Sequence, residues 1–274
     1  MQPPLLYMHT VKAKNNVHVS GKADAAQTII FGHGFGSDQT AFAPLVKAFE
    51  ADYKIVLFDN VGGGQADINA FSPSRYSSIQ GYVTDMGDLL RELKLENVIY
   101  VGHSVNGMIG LLSAIKYPSY FNKLVLLGSS PRYLNEPETG YVGGFNMEAL
   151  EQLYHAMSTN YYAWASGFAQ LVLQNQDRPE LAANFAKSLS SIRADIALSV
   201  AKVIFEMDHR SDLGKSSIPA LIVQTSDDPA VPSEVGDYML KHIPNSQLAI
   251  VHTKGHFPHV SAPEEVISII KSFI

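Results

Sequence analysis

Short apolar runs recur along the chain. Gln27–Phe31, Tyr53–Phe58, Asn97–Val101, Lys123–Leu127, Ala220–Gln224 and Gln247–Val251 are rich in Val, Ile and Leu and give way to Gly, Asp, Ser or Thr. Runs of this length and composition predict buried strands. Between several of them lie amphipathic segments that predict helices: Ala41–Ala51, Gly81–Leu93, Val105–Tyr117, Ser233–His242 and Pro263–Ser272. This alternation predicts a mostly parallel sheet covered by helices on both faces.

The rhythm breaks between about Pro131 and Ser217. Helical patterns follow one another there with no convincing strand: Asn146–Asn160, Tyr162–Leu173, Pro179–Leu189 and Ala194–Met207. The expected organisation is an α/β core over residues 1–130 and 218–274, with a helical insertion over 131–217. The insertion is rich in rings, among them Tyr141, Phe145, Tyr154, Tyr161, Trp164, Phe168 and Phe185. Most of these rings are expected to form a small core of the insertion itself. A few are expected to wall an apolar pocket beneath it.

Composition narrows the picture. A chain of 274 residues with 20 Lys+Arg and 26 Asp+Glu carries a formal net charge of −6. This argues against general nucleic-acid binding, which needs a basic face. The absence of cysteine excludes disulfide scaffolds, thiolate nucleophiles, iron–sulfur clusters and Cys-ligated zinc. No apolar stretch has the length of a membrane span. The segment Met1 to Thr10 lacks a basic start followed by a sustained apolar run, so no secretory leader is expected. The expected setting is the cytoplasm, away from membranes.

The most informative stretch runs from Val98 to Ile109, with Gly102-His103-Ser104-Val105-Asn106-Gly107 at its centre. A strand that enters Gly-x-Ser and leaves as a helix is the context of a nucleophile elbow. The tight turn needs small neighbours, and Gly102 is one. Asn106 stands where the usual pattern has glycine. Its bulk is expected to push helix and strand slightly apart, or to load strain onto Gly107.

A serine hydroxyl is a weak nucleophile and needs a base. His256 follows the last apolar run and precedes the last helix. His259 is its competitor, while His33 and His103 suit supporting roles. A carboxylate is then needed to orient the imidazole. It should follow Ala220–Gln224, where both Asp227 and Asp228 stand, although an Asp-rich turn can equally cap the next helix. Ser104, an Asp and His256 occur in an order known for acyl-transfer triads. Donors for a developing oxyanion are also required. The amide of Val105 is one candidate, and the loop Gly32-His33-Gly34-Phe35-Gly36 offers the amide of Phe35.

Two rival readings fail on pattern. Gly62-Gly63-Gly64 lacks the spacing and the Lys of a phosphate loop. His256-x-x-His259 holds a proline and lacks the Glu of a helical zinc pair. No metal or other cofactor is expected.

The longer motifs resemble a known group. Gly32-His33-Gly34-Phe35-Gly36-Ser37-Asp38-Gln39, Leu57-Phe58-Asp59-Asn60-Val61-Gly62, Arg75-Tyr76, Gly102-His103-Ser104-Val105 and Ser130-Pro131-Arg132-Tyr133-Leu134-Asn135 match the α/β-hydrolase fold family. Gly143-Gly144-Phe145, Asn160-Tyr161, Arg193-Ala194-Asp195-Ile196-Ala197 and Gly255-His256-Phe257-Pro258-His259 continue the likeness. Within that family the chain resembles the group of the bacterial stress regulator RsbQ and the plant strigolactone and karrikin receptors.

The resemblance implies Asp228 as the acid and a four-helix, V-shaped lid over an apolar pocket. Candidate pocket residues are Phe35, Tyr133, Phe145, Tyr161, Trp164, Phe168 and Phe257. The implied activity is slow Ser-His-Asp hydrolysis of small, largely apolar esters or lactones. A stress-response role with a phosphatase-like signalling partner is implied as well. The alternative is a ligand-sensing module in which hydrolysis is incidental. A third option keeps the constellation for other chemistry, such as that of cofactor-free haloperoxidases or hydroxynitrile lyases, because a fold does not select a substrate.

Overall fold

The structure, a computed structural model, describes residues 10–274. The expectation about a leader therefore lies, apart from Thr10, outside the described residues. Seven strands form one sheet: β1 (His18–Gly21), β2 (Thr28–Gly32), β3 (Lys54–Phe58), β4 (Val98–His103), β5 (Phe121–Leu127), β6 (Ala220–Asp227) and β7 (Ser246–Lys254). Their spatial order is β1-β3-β2-β4-β5-β6-β7. Only β1 runs antiparallel, pairing His18 with Leu57 and Gly21 with Lys54 at the edge. The apolar runs predicted the six parallel strands. β1 escaped because it is exposed along its whole length and so carries no apolar pattern.

Successive residues of a strand face opposite sides of the sheet. Ile29, Phe31, Ile99, Val101, Val125 and Leu127 point into one core. Ile30, Val98, Tyr100, Leu124 and Leu126 point into the other. Because both faces are covered, the strands are apolar without alternation.

The helices are α1 (Val11–Lys14), α2 (Ala43–Phe49), α3 (Gln80–Glu92), α4 (Val105–Lys116), α5 (Met147–Thr159), α6 (Tyr161–Leu173), α7 (Pro179–Ser190), α8 (Ala194–Phe205), α9 (Ser233–His242), α10 (Pro258–Ser261) and α11 (Pro263–Phe273). Leu45 and Phe49 of α2 join Val266 and Ile270 of α11 on one face. α3, α4 and α9 contribute to the other, which continues into the helices between β5 and β6.

Those four helices, α5 to α8, start where the sequence pattern puts them. The Asn146 side chain caps α5 by accepting from the Ala149 amide, and Asn160 caps α6 through the Ala163 amide. α7 begins on Pro179, whose missing N–H costs nothing at a first helical position. The chain enters and leaves this region side by side. Arg132 bridges Asp208 in antiparallel fashion, the His209 amide donates to the Pro131 carbonyl over 2.9 Å, and the Arg132 guanidinium lies 2.6 Å from the Asp208 carboxylate.

Candidate active site

β4 ends in the turn that carries Ser104. The serine has φ 56° and ψ −125°, a left-handed conformation that costs energy for any residue with a Cβ. It lets the chain pass from strand into α4 within one residue. The passage is tight: a Cβ on Gly102 would lie 2.4 Å from the Asn106 carbonyl oxygen.

Asn106 is accommodated in a way the sequence did not suggest. Fully buried, the amide of Asn106 accepts from the Tyr100 hydroxyl at 2.7 Å and donates to the His33 carbonyl. The space comes from Gly32 on the adjacent strand, where a Cβ would sit 2.7 Å from Asn106 Oδ1 and 2.5 Å from the Tyr100 hydroxyl. The polar group is thus satisfied, as burial requires.

Three strand ends bring Ser104, His256 and Asp228 together. His256 Nε2 is 2.9 Å from Ser104 Oγ. His256 Nδ1 is 2.8 Å from Asp228 Oδ2. The other carboxylate oxygen, Oδ1, accepts from the Ala230 and Val231 amides at 2.8 and 3.1 Å. Both oxygens of Asp228 are therefore engaged, which fixes the carboxylate plane and with it the ring. Asp227 points elsewhere: its side chain is 55 % exposed and stands 3.7 Å from Lys254 Nζ, so nothing in its placement lets it replace Asp228.

Tyr133 makes a contact that its aromatic ring did not signal. Its hydroxyl lies 3.2 Å from Ser104 Oγ. The single serine proton is directed at His256, so the tyrosine is the donor. Burial raises the Tyr133 pKa, so the phenol keeps its proton.

The loop after β2 runs against the elbow. A Cβ on Gly34 would be 3.1 Å from the Ser104 Cβ, and the next residue, Phe35, lines the same chamber as Ser104. Val105 opens α4, where the first amides have no partner within the helix and the helix dipole favours negative charge. His33 holds the loop from within. It accepts from the Asn60 amide at Nε2 over 3.0 Å, so its Nδ1–H donates to the Gly34 carbonyl over 2.9 Å.

His103 and His259 have structural roles. His103 Nε2 donates to the His256 carbonyl at 2.8 Å. Burial, with His259 and His256 nearby, holds the His103 pKa well below its ordinary value. His259 is fully buried and stacks on Phe42 with centroids 4.7 Å apart. Burial pushes its pKa down to about 3, and neither ring nitrogen has a hydrogen-bond partner, so it does not compete with His256 for Ser104. The glycine run at 62–64 also has a structural explanation. The Asp59 carboxylate accepts from the Gln39 and Gln65 amides at 3.0 and 2.9 Å, so the turn folds around a buried carboxylate.

A small chamber of about 30 Å³ touches Ser104 and His256. Of the candidate pocket residues, Phe35, Tyr133, Phe168 and Phe257 wall it. The other three stand elsewhere. Phe145 and Trp164 line an adjoining groove on the α5 side of α6, which shares Phe168, Val172 and Ala230 with the chamber. Tyr161 is buried in the insertion, donating to the Leu189 carbonyl at 2.6 Å and stacking on Trp164. The chamber is completed by Val172, Phe185, Ile204, Phe205 and Ala230, which the sequence reading did not select. Periodicity marks the apolar face of α6, α7 and α8. It does not say which of those residues meets the sheet edge.

A family model described as the alpha/beta hydrolase fold matches residues 27–263. The chain belongs to this family. It is 41% identical over 264 residues to the karrikin insensitive 2 receptor CA of Petunia hybrida, covering 96% of each chain. It is 40% identical over 249 residues to the strigolactone esterase RMS3 of Pisum sativum, covering 90% of this chain and 92% of the relative. The plant receptor group read from the motifs is thus among its relatives. Among solved structures, a hydrolase from Oleispira antarctica superposes with a TM-score of 0.92 at 35% identity, covering 96% of this chain and 95% of that one. No helix among the described residues is long and apolar enough to cross a membrane.

Proposed function

We propose that the protein is a serine hydrolase of small, largely apolar esters or lactones. The observation that carries this reading is the unbroken hydrogen-bonded line Ser104–His256–Asp228, at 2.9 and 2.8 Å, beside a small, largely apolar chamber. Ser104 Oγ attacks the acyl carbon while His256 Nε2 takes its proton. Asp228 holds the ring and stabilises the imidazolium. The amides of Phe35 and Val105 receive the oxyanion. His256 then protonates the leaving oxygen, and a water that it deprotonates releases the acyl group from Ser104. Residues 131–217 act as a lid whose rings exclude bulk water and strengthen the oxyanion contacts.

The test is p-nitrophenyl acetate with intact-mass measurement during turnover and Ser104→Ala alongside. Product release above background, an acetyl adduct on the wild type and neither in the variant are expected. Folded wild type that gives no release and no adduct, with a small serine-directed phosphonate equally inert, rules the reading out.

A second reading is a ligand-sensing signalling module. The observation in its favour is the chamber itself. At about 30 Å³ it admits no ester of useful size without movement of the helices above it, and a partner protein can read such movement. The names of the plant relatives, receptor and esterase, accommodate both readings. An RsbQ-like stress role with a phosphatase-like partner rests on the motif resemblance alone. Loss of signalling in cells carrying Ser104→Ala favours a chemical step, and retention favours binding.

A further inference from the structure

A cleft of about 560 Å³ lies outside the chamber, between α7 and the segment that follows β2. It shares two residues with the chamber, Phe185 and Phe257. Their ring centroids are 4.6 Å apart. The larger space and the smaller one therefore meet at one pair of rings. α7 comes this close because residue 36 is glycine: at φ +76° a Cβ there would stand 2.7 Å from Leu189 Cδ1 and 3.2 Å from Phe185 Cζ.

The cleft has a chemical gradient. Leu173, Leu181 and Val260 line it with apolar surface, and Thr40, Asn184 and Ser188 supply hydroxyl and amide groups. Asp38 and Lys187 oppose each other in charge. The Asp38 carboxylate is already engaged, accepting from the Thr40 amide and the Ser188 hydroxyl at 2.9 Å each. The lining suits an amphipathic group, and with its one carboxylate already engaged it offers no site for a cation.

Chemistry gives the cleft a direction. His256 must protonate the leaving oxygen, so the leaving group lies on the His256 side of Ser104. Phe257 follows His256, and its ring stands edge-on to the imidazole at 5.7 Å. A chamber of about 30 Å³ holds the reacting carbonyl and little more. The rest of the substrate has to pass a wall; the Phe185–Phe257 pair is the one toward this cleft, next to His256, while Phe168, Val172 and Ala230 face the groove beside α5.

We propose that this cleft is the subsite for the alcohol part of an ester, or for the hydroxyl-bearing tail of an opened lactone, and that Phe185 is the partition that sets its size limit. The occupant is a ring or short chain packed on Leu173, Leu181 and Val260, with an oxygen turned to the Asn184 amide, since the Thr40 and Ser188 hydroxyl protons are held by Asp38. This inference rests on the hydrolase reading above.

The experiment compares kcat/KM for p-nitrophenyl acetate, methylumbelliferyl acetate and p-nitrophenyl hexanoate. The first two differ in the alcohol, the first and third in the acyl chain. Phe185→Ala, with Phe185→Leu as the milder form, should raise the methylumbelliferyl-to-nitrophenyl acetate ratio about tenfold, and Asn184→Trp on the exposed face should lower it by a similar factor. The hexanoate-to-acetate ratio should move less than about threefold. Binding of methylumbelliferone, followed by its fluorescence, carries the test without turnover, and Asn184→Trp should raise its Kd about fivefold. Absent turnover with that binding response intact would sink the hydrolase reading while sparing the cleft as a binding site. An unchanged alcohol ratio with an unchanged Kd overturns the proposal. So does a shift confined to the hexanoate ratio, which would hand the cleft to the acyl chain.

Discussion

Ser104, His256 and Asp228 stand at the ends of β4, β7 and β6, and hydrogen bonds hold each of them. Ser104 is linked to His256 and Tyr133, and Asp228 to two backbone amides as well as the imidazole. The rings facing them from the insertion are held mainly by other rings. Phe185 meets Phe257 at 4.6 Å, Phe205 meets Tyr133 at 5.3 Å and Phe168 meets Trp164 at 5.0 Å. Hydrogen bonds are directional and lose most of their value when geometry slips. Ring packing tolerates offset and tilt over a broad range of separations. One side of the chamber is built for precision and the other for adaptable shape. Changes on the sheet side should therefore alter the rate of chemistry, and changes on the helical side should alter which substrates are accepted.

The largest effect should come from the carboxylate. Asp228→Asn should lower kcat by about 10³- to 10⁴-fold, through loss of the imidazole's correct tautomer and partner. Asp227→Asn, facing Lys254 in solvent, should stay within about threefold of wild type. Steady-state kinetics on p-nitrophenyl acetate decides the matter. Equal losses in both variants would break the assignment.

Next comes the dependence of stability on pH. A histidine buried neutral has a folded pKa below its unfolded one, so the unfolded state binds the extra proton as pH falls. The stability is fully present above the unfolded value near 6.5 and is lost progressively toward the folded value of about 3 for His259. Going from about pH 7 to about pH 5 should cost about 2 kcal/mol for such a group. Urea unfolding of wild type and His259→Phe should show a shallower pH slope in the variant. An identical slope would mean that His259 titrates normally.

On the helical side, Phe168→Ala should change KM and acyl preference by about tenfold while kcat moves less than about threefold. A kcat loss comparable to that of Asp228→Asn would erase the distinction between the two sides. The smallest effect should be that of Tyr133→Phe. Removing one hydrogen bond to Ser104 Oγ is worth about 1 kcal/mol, so acylation rates measured by stopped flow should shift by about fivefold. A change greater than about a hundredfold would move Tyr133 from the wall of the chamber into the chemistry.

The strands and helices were legible to within a few residues because burial on both faces leaves plain apolar runs, and because Asn146, Asn160 and Pro179 mark helix starts. β1 was not, since an exposed edge strand has no apolar signature. Ser104 and His256 were legible because a strand-to-helix turn and a late loop leave local marks. The choice between Asp227 and Asp228 required the resemblance, since adjacent carboxylates look alike until one is seen facing a ring and the other a lysine.

By itself the sequence determined the parallel α/β core, the position of the helical insertion and the residue types able to perform acyl transfer. These follow from periodicity and from short motifs, which are properties of neighbouring residues. Tertiary structure alone decided that Gly32 makes room for Asn106, that Tyr133 reaches Ser104, and that Phe185 and Phe205 line the chamber while Trp164 and Tyr161 do not. Each of these is a contact between segments far apart in the chain. Such contacts depend on how one helix lies over one strand end, and no local pattern encodes that distance.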